Sequence, residues 1–578
     1  MKTRVTRRKL FPTLGFLAFY HLLASCTEAT PISSNPHNKP AEAASKEPAA
    51  RPNILLIVVD DMGFNDIGSF GSEIETPNLD QLANGGIRLT NFHVAPTCSP
   101  TRSMLLTGVD HHKTGLGNMA EELSPNQKGQ PGYEGFLNDR VVTLATLLRD
   151  DGYRTMMTGK WHLGKEDNNS PTARGFEQSF SLLAGGASHY PDMRPAYAPS
   201  PDIKASYRHN GKRLSKLPEA FEYSSQYYVD HMINQLKNSA DSDKPFFAYL
   251  AFTAPHWPLQ APDVSVAKFK GRYDGGYDQL TRDRLQQAKA LGVLPENTQL
   301  SAPPPNHIPW KELSETQQRT EARAMEIYAA MIAELDQHSG RLFDYLRSAN
   351  QLDNTIVVFL ADNGAEGHDL DETWPAEMFP KIRHTIDTVH DFSYAAMGKP
   401  GSYTLYGPNW AWAGSPGFNL YKAFPTEGGT RTAAFIYYPQ QFKSQAISHR
   451  LISVKDIAPT LLELTGVAES SNPNVEKITG VSQVSFLSDG AKNNTNEDRV
   501  LAGELFGKRF LRQGKWKISH MPKPYGNDNW QLFALDSDLG ESLDVSSQYP
   551  EKKAELLLAW ENYVTENHII LPDWVSGY

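Results

Sequence analysis

The chain has 578 residues, of which 39% are hydrophobic and 21% are charged, and its formal net charge is −10. This acidic balance argues against a nucleic-acid-binding surface, so an anionic ligand would have to be held by local cations or by a metal ion. The mean hydropathy of −0.49 predicts a soluble protein, and the length suits either several domains or one large α/β domain with a smaller appendage.

Residues 1–25 have the composition of a targeting segment: a basic start, an apolar run over residues 10–23, and Leu23-Ala24-Ser25-Cys26, which looks like a bacterial lipobox. We expect a lipoprotein signal peptide, lipid on Cys26, and an exported protein held at a periplasmic or outer-membrane surface. The alternatives are a short membrane anchor, or a simple cleaved signal that leaves a soluble periplasmic protein, and a pair of arginines permits twin-arginine export. Removing the five basic residues of this segment lowers the net charge from −10 to −15.

Residues 26–50 are rich in Pro, Ala, Ser, Asn and Glu and lack apolar periodicity, so we expect a disordered tether. A flexible chain of this length spans roughly 25–30 Å on average, enough to hold a folded domain clear of a lipid surface. Cys26 is one of only two cysteines. If Cys26 carries lipid and the other is modified, no disulfide can form and the core must supply the stability.

Two predicted strands are followed by acidic or amide residues. The apolar runs over residues 53–59 and 355–360 are typical of strands buried on both faces of a parallel sheet. Open α/β sheets bind ligands at the carboxyl ends of such strands, although a solvated loop start or an Asn-Gly turn is the ordinary alternative. Oxygen ligands gathered there suit Ca²⁺ or Mg²⁺ and not zinc. The candidate metal ligands are Asp60, Asp61, Asp362 and Asn363.

The remaining hydrophobic spacing predicts a large mixed, mostly parallel sheet flanked by helices over residues 51–485, followed by a smaller α+β subdomain over residues 486–578. Residues 272–310 are polar and Pro-rich and are expected to be irregular and exposed. The other predicted helices are 77–85, 142–149, 315–352 (one or two helices), 454–464 and 552–563, and the other predicted strands are 88–94, 153–158, 246–253, 433–438, and short ones around 510–520 and 531–535.

The segment Cys98-Ser99-Pro100-Thr101-Arg102, with Leu105 and Thr107-Gly108 after it, begins a predicted helix near Pro100. On its own, Cys98 would most simply be a buried structural cysteine. The segment, however, matches the signature of the type I, formylglycine-dependent sulfatases, and family-like segments recur from Arg51 to the C-terminal region. The chain therefore resembles this family, and most of all its bacterial arylsulfatases, which implies an alkaline-phosphatase-like fold.

The resemblance also implies the roles of individual residues. A separate maturation enzyme would oxidise Cys98 to Cα-formylglycine, whose hydrate is the nucleophile. One Ca²⁺, favoured over Mg²⁺ by the resemblance, would be held by the four oxygen ligands named above together with the modified Cys98. The positions that match the family's sulfate-binding, hydrate-stabilising and acid/base residues are Arg102, Lys160, His162, His256 and Lys422.

In the implied reaction, one hydroxyl of the hydrate attacks sulfur, while His256, with Lys422 as a second candidate, protonates or stabilises the leaving oxygen. His162 then takes the proton of the second hydroxyl, and sulfate leaves. Lys160 and His162 lie two residues apart in a segment expected to be extended, which would point both side chains to one side. Aromatic residues could line an aryl pocket, with core packing as the alternative: Trp257, Tyr403, Tyr406 and Trp410.

Two other functions compete with sulfate-ester hydrolysis. A phosphonate or phosphodiester hydrolase of the same superfamily would use the same cysteine motif and metal ligands. The amino-acid sequences of residues 159–164 and 254–260, however, resemble those of the bacterial arylsulfatases more closely. A surface lipoprotein that binds sulfated ligands without turning them over would result if Cys98 stayed a thiol. The expected partners are a small-molecule or carbohydrate sulfate ester, the maturation enzyme and, through the lipid, a membrane.

Overall fold

The structure is a computed structural model that describes residues 51–238, 243–442, 446–492 and 496–574. The predicted signal peptide, the lipid on Cys26 and the tether lie outside the described residues. The described residues all fall within one compact unit. None of the helices in these ranges combines the length and the apolar character needed to cross a membrane.

The strands of the described residues form two sheets, one of eleven strands and one of four. The strands of the large sheet are β1 (Asn53–Val59), β2 (Ile87–His93), β3 (Arg154–Lys160), β4 (Gln178–Leu182), β5 (Tyr207–His209), β6 (Lys212–Arg213), β7 (Phe246–Ala251), β8 (Thr355–Ala361), β9 (Arg431–Tyr437), β10 (Ala446–Ser448) and β11 (Ile452–Ser453). Their order is β10-β2-β9-β8-β1-β7-β3-β4-β5-β6, with β11 also paired to β2. Antiparallel pairs occur at β2–β9, β8–β9, β4–β5 and β5–β6, and the other pairs are parallel. The predicted mixed, mostly parallel sheet is confirmed.

Strand β1 lies at the centre of the large sheet, parallel to both β7 and β8. All seven of its residues are buried. Leu55, Ile57 and Val59 point into one hydrophobic core and the alternate residues into the other, because successive side chains of a strand face opposite sides. Burial on both faces explains why the sequence here is a continuous apolar run.

Helices cover both faces of the large sheet. They are α1 (Pro77–Gly85), α2 (Cys98–Thr107), α3 (His111–Thr114), α4 (Leu144–Asp150), α5 (Ser224–Lys237), α6 (Asp263–Val266), α7 (Tyr277–Ala290), α8 (Glu315–Ser348), α9 (Leu370–Thr373), α10 (Pro380–Val389), α11 (Gly407–Gly414), α12 (Glu427–Thr430), α13 (Ile457–Thr465), α14 (Val484–Ser488) and α15 (Pro550–Asn567). The core on one face takes side chains from α1, α5, α7, α8 and α11. The core on the other takes them from α2, α4, α13 and α14.

The prediction that residues 272–310 are irregular is wrong for their first half, because α7 runs through it. The inward face of α7 carries polar residues along with apolar ones, which weakens the hydrophobic spacing that would have indicated a helix. Arg284 is buried on that face, where it pairs with Asp66 Oδ1 at 2.6 Å and Glu73 Oε2 at 2.7 Å. Ion pairing therefore allows a charged residue to take a core position.

The second sheet is antiparallel, in the order β12 (Val500–Leu505), β13 (Lys508–Gln513), β14 (Trp516–His520) and β15 (Trp530–Ala534). Its core includes Leu511, Ile518 and Leu532, and Leu556 and Trp560 of α15 cover it. This is the predicted C-terminal α+β subdomain. The boundary at residues 485/486 stays a prediction, and α14 spans that position.

Buried ion pairs join the second sheet to the large domain. Glu427 of α12 contacts Lys517 Nζ at 3.0 Å and Arg512 NH1 at 3.1 Å. On another side, the His112 imidazole lies between two carboxylates, 2.9 Å from Asp110 Oδ1 and 3.4 Å from Glu504 Oε2 of β12. Both nitrogens of the His112 imidazole are therefore already paired. We accordingly interpret the group Asp110, His111 and His112, whose ligand atoms lie close enough together to hold a metal ion, as a structural ion-pair cluster.

We expect the stability supplied by the His112 pairs to be lost as the pH rises. Burial alone would lower the pKa of His112 from 6.5, but hydrogen bonds to Asp110 and Glu504 outweigh burial and raise the pKa to about 9. A raised folded-state pKa favours folding while the imidazole is protonated, so a contribution of about 3 kcal/mol is complete below pH ~6.5 and absent above pH ~9. Urea unfolding of wild type and His112→Gln should differ most near pH 6 and least near pH 9.5, and a difference independent of pH would contradict this assignment.

Candidate active site

The carboxyl ends of the adjacent parallel strands β1 and β8 bring the predicted acidic residues together. The Asp61 amide donates to Asp362 Oδ1 at 3.3 Å, and Asn363 Nδ2 donates to Asp61 Oδ1 at 2.8 Å. Asp60, on the other side of this group, is also fully buried. The four predicted oxygen ligands therefore lie at one edge of the sheet, as the position of ligand sites in open α/β sheets implies.

Cys98 is the first residue of α2 and lies beside these ligands. Its Sγ is 3.8 Å from Asp61 Oδ1. The helix begins at Cys98 rather than near Pro100, and all ten of its residues are buried. Burial raises the pKa of the Cys98 thiol well above its ordinary value. An unmodified Cys98 would therefore be a neutral thiol and a poor nucleophile, since the thiolate is the reactive form.

Three buried cations surround the carboxylates. Arg102, one turn along α2 from Cys98, contacts Asp362 Oδ2 at 2.7 and 2.8 Å. Lys160, the last residue of β3, binds both oxygens of Asp60, at 2.7 and 2.9 Å. Lys422 Nζ lies 2.9 Å from Asp61 Oδ2. Each predicted cation thus contacts a different one of the three carboxylates.

The residues present suit a divalent cation that prefers oxygen. Ligand atoms of Asp60, Asp61, Cys98 and His256 all lie within 4.8 Å of one another. Asn363 Oδ1 is buried and has no hydrogen-bond partner among the described residues, so one further oxygen is left to bind an ion. Burial, together with the neighbouring charges of Asp362 and Asp61, raises the pKa of Asp60 to about 8 despite the opposing charge of Lys160. A bound divalent cation would relieve this repulsion among carboxylates.

His256 lies five residues beyond the end of β7 and contacts the same group of ligands. Its Nε2 is 3.5 Å from Asp61 Oδ2, while Nδ1 lies 2.6 Å from the Trp257 carbonyl oxygen, which accepts its hydrogen bond. Burial, and then the charges of Lys160 and Lys422, hold the pKa of His256 well below 6.5. The ring is therefore neutral at neutral pH even though the Asp61 carboxylate lies beside it.

His162 differs from the prediction in its backbone. Lys160 ends β3, and His162 has a φ of 56°, so the expectation that the segment is extended through His162 is wrong. His162 Nε2 lies 3.0 Å from Glu121 Oε1, and the Tyr197 hydroxyl donates to the same oxygen. His162 Nδ1 is buried and has no partner among the described residues, which leaves it as the ring's basic atom.

Two glycines allow the two histidines to approach the same backbone. A Cβ on Gly185 would lie 2.7 Å from the His162 ring, and one on Gly186 would lie 3.0 Å from the His256 ring. Real Cβ atoms essentially never make a contact as short as the one at Gly185, so a side chain there would displace the His162 ring, whereas one at Gly186 would require the His256 ring to shift by a few tenths of an ångström. The sequence Gly185-Gly186 therefore brings both predicted acid/base residues to one wall of the site.

The sequence analysis missed two carboxylates of the site. Glu121 binds His162, as described above. Glu366 Oε2 lies 2.9 Å from Lys422 Nζ, and its other oxygen lies 2.8 Å from His368 Nδ1. Glu366 follows Asp362 by four residues in the same loop, which is a signal that could have identified it. Glu121 lies in a polar loop with no comparable pattern.

We expect Glu121→Gln to lower kcat about 10- to 100-fold, as loss of a carboxylate that orients a histidine typically does. Burial lowers the pKa of His162 to about 4, and Glu121 opposes that shift. Loss of the Glu121 charge should therefore also move the acidic limb of the kcat–pH profile to lower pH. Tyr197→Phe, which keeps the His162–Glu121 pair, is the matched control and should have a smaller effect. A lower kcat with an unmoved acidic limb would reduce Glu121 to a purely structural role.

The aromatic candidates divide into two groups. The Trp257 ring lies 4.5 Å from that of His256 and 5.7 Å from that of Tyr403, so both border the site. Tyr406 stacks on Tyr328 at 4.5 Å, and Trp410 packs among the rings of the main core. The first pair thus belongs to a small cluster that adjoins His256, whereas the second pair belongs to the main core.

Comparisons with known proteins identify the family of this chain. The Sulfatase family model matches residues 52–467. An uncharacterised sulfatase of Schizosaccharomyces pombe is 41% identical over 550 residues, covering 92% of this chain and 96% of the relative. An arylsulfatase of Klebsiella aerogenes is 39% identical over 437 residues, covering 74% and 89%.

A protein solved in complex with its substrate D-glucosamine-2-N,6-O-disulfate has a similar fold. It is 20% identical with a TM-score of 0.59, and the alignment covers 90% of this chain and 99% of that one. This likeness concerns the fold alone. The family match includes the ends of β1 and β8, the cysteine segment and the three cations around it. The alignments with the two sequence relatives cover most of the length of each relative. The chain therefore belongs to the sulfatase family of hydrolases.

Proposed function

We propose that this sulfatase cleaves aryl sulfate monoesters to a phenol and inorganic sulfate, with a formylglycine made from Cys98 and one bound Ca²⁺. The observation that carries this proposal is the position of Cys98 Sγ, 3.8 Å from Asp61 Oδ1, among oxygen ligands and three buried cations. A neutral, buried thiol in that position is a poor nucleophile, whereas a hydrated aldehyde there offers two hydroxyl groups on one carbon.

Sulfatases use a metal ion together with formylglycine, and the residues present fit both. Asp60, Asp61, Asp362 and Asn363 would hold the ion through oxygen, beside the modified Cys98. When bound, a divalent ion supplies the positive charge that lowers the pKa of a neighbouring hydroxyl and stabilises sulfate oxygens. Ca²⁺ is proposed over Mg²⁺ because the chain resembles calcium-binding sulfatases.

The chain's own cations bind and orient the sulfate group. Lys160 and Lys422 carry ammonium groups on two sides of the carboxylates, and both are buried. Arg102 holds Asp362 and also donates to the Lys160 carbonyl oxygen at 3.0 Å, so it fixes the end of β3, where Lys160 lies. Preorganised charges in a buried site stabilise developing negative charge, by about 3–4 kcal/mol for one such donor.

The two histidines divide the proton transfers. His256 donates a proton to the leaving oxygen from Nε2, because Nδ1 is held by the Trp257 carbonyl; an anionic substrate offsets the lysine charges and favours the protonated ring. His162 accepts a proton at Nδ1 from the second hydroxyl of the hydrated residue. Glu121 stabilises the imidazolium that results, through its contact with Nε2.

A substrate panel tests this function. Trp257 and Tyr403 border the site and favour an aromatic leaving group. With the matured enzyme, p-nitrophenyl sulfate should be turned over with a kcat/KM at least about 100-fold above that for the matching phenyl phosphonate ester. Alkyl and carbohydrate sulfates complete the panel. The reverse preference would favour the phosphonate hydrolase, and inability to cleave any sulfate ester would overturn the proposal.

We further propose that the protein is an exported lipoprotein with lipid on Cys26. The supporting feature is the sequence Leu23-Ala24-Ser25-Cys26 after a basic and apolar leader. Mass spectrometry of the protein from membranes of its host should find a diacylated N-terminal Cys26. An N terminus beyond Cys26 and without lipid would indicate a soluble periplasmic enzyme.

A further inference from the structure

Lys508 is a buried lysine that the proposed reaction does not use. It is the first residue of β13 and is only 5% exposed. Its Nζ has no hydrogen-bond partner among the described residues. It lies instead over two aromatic rings, 4.0 Å from the centre of Phe424 and 5.2 Å from that of Tyr525. Cation–π contacts compensate only part of the lost hydration of an ammonium group.

A cavity of about 350 Å³ adjoins this lysine. Apolar and aromatic groups form much of its wall, among them Tyr525, Trp574, Pro522 and Pro572, and Lys508 lines it directly. Flat apolar faces with few polar groups are typical of sites for small organic ligands. The cavity therefore combines ring-binding surfaces with one cation that the described protein atoms leave unpaired.

We propose that this cavity binds a small organic anion, whose carboxylate or sulfate group pairs with the Lys508 ammonium and whose ring lies against Tyr525 and Trp574. The other charged residues at this cavity are Arg509, Lys523 and Asp573. Arg509 is already engaged with His520 at 2.9 Å, and Lys523 is exposed. Lys508 is thus the cation whose partner is missing.

Protonation of Lys508 is sensitive to such a ligand. Burial lowers the pKa of Lys508 to about 7, against the charge of Glu372, whose Oε1 accepts a hydrogen bond from Tyr525 at 3.2 Å. An anion bound beside the amine would favour the ammonium form. A bound anion would therefore act on Lys508 in the same direction as Glu372.

The pocket is close to the catalytic loop but separate from it. Phe424 is two residues beyond Lys422, and Ala423 packs with Leu505 and Phe506 in one apolar cluster. The β12–β13 turn thus lies against this loop, and Lys508 contacts the Phe424 ring. None of the residues proposed to take part in the reaction lines the cavity, so this inference does not depend on the proposed function.

Isothermal titration of the full protein with naphthalene-2-carboxylate, naphthalene-2-sulfonate and neutral 2-naphthol tests the proposal. At least one anion should bind about tenfold or more tightly than 2-naphthol, and the tighter of the two identifies the preferred group. Lys508→Met should weaken that binding at least tenfold, whereas Lys523→Met, which removes an exposed lysine of the same cavity, should change it less than twofold. Turnover of p-nitrophenyl sulfate by Lys508→Met should stay within twofold of wild type, which separates this site from the catalytic one.

Failure of both anions to bind wild type, or equal binding by wild type and Lys508→Met, would overturn the proposal. If Lys508→Met does not fold, Trp574→Leu removes a ring from the cavity wall at a partly exposed position. That variant should bind the preferred anion at least threefold more weakly. Unchanged affinity in it would equally overturn the proposal.

Discussion

Cys98→Ala is expected to abolish sulfate-ester hydrolysis, with a loss of at least about 10⁴-fold in kcat, because it removes the group that becomes the nucleophile. The remaining cations can still bind sulfate, so substrate affinity should change far less than kcat. The small loss of volume at one buried position should cost about 1 kcal/mol of stability and leave the fold intact. Initial rates on p-nitrophenyl sulfate and circular dichroism measure the two effects.

Cys98→Ser is the informative companion to this variant. A serine supplies one hydroxyl but not the second, so it can be sulfated but cannot release sulfate by collapse to an aldehyde. We expect release of about one equivalent of phenol per protein molecule, followed by very slow turnover. Activity near that of wild type in Cys98→Ala would contradict the assignment of the nucleophile.

The maturation step can be examined on the same segment. Conversion of the thiol to an aldehyde lowers the mass of the Cys98 peptide by about 18 Da. Protein made without the maturation enzyme should be soluble and inactive and should lack this change. Full activity with an unmodified Cys98 would show that the aldehyde is unnecessary.

The sequence was most informative for strands in which every residue is buried. Strands β1 and β8 are buried on both faces, so their apolar runs predicted both the strands and the point at which they end. The rule that ligands bind at carboxyl ends of parallel strands then placed Asp61 and Asp362 together. The motif at Cys98 indicated the type of reaction, and the structure adds that α2, which begins at Cys98, starts beside Asp61.

Contacts between polar side chains distant in sequence were not predictable. Glu121 and His162 are separated by 41 positions, and nothing in the loop around Glu121 distinguishes it from a solvated carboxylate. His162 also turns out of the extended conformation. Histidine is enriched among the few non-glycine residues with a left-handed backbone, but most histidines do not adopt it, so the residue type alone did not predict the turn. Helix α7 escaped detection for a related reason, since Arg284 occupies a core position through ion pairs that a sequence pattern does not reveal.

The oxygen ligands at the ends of β1 and β8 give the second large prediction, which concerns removal of the metal. Chelation with EDTA should reduce activity at least about 100-fold, because a preorganised positive charge beside the reacting group is lost. Adding Ca²⁺ should restore it more fully than Mg²⁺, because the resemblance to calcium-binding sulfatases favours Ca²⁺ among the ions that prefer oxygen ligands. If activity responds to neither ion, the oxygen ligands at the ends of β1 and β8 do not hold a metal that the reaction needs.

Thermal unfolding provides a readout that does not depend on turnover. An ion that binds only the folded state stabilises it by about 2.7 kcal/mol at a concentration 100 times its Kd, so Ca²⁺ should raise the Tm of the chelated protein. Asp61→Asn should lose this rise, because Asp61 contacts both Cys98 and Asn363. Asp66→Asn is the matched control: it also removes a buried carboxylate, one paired with Arg284, so it should lower the Tm yet keep the full response to Ca²⁺. An equal response to Ca²⁺ in Asp61→Asn would place the ion elsewhere and remove the physical basis for the convergence of these carboxylates.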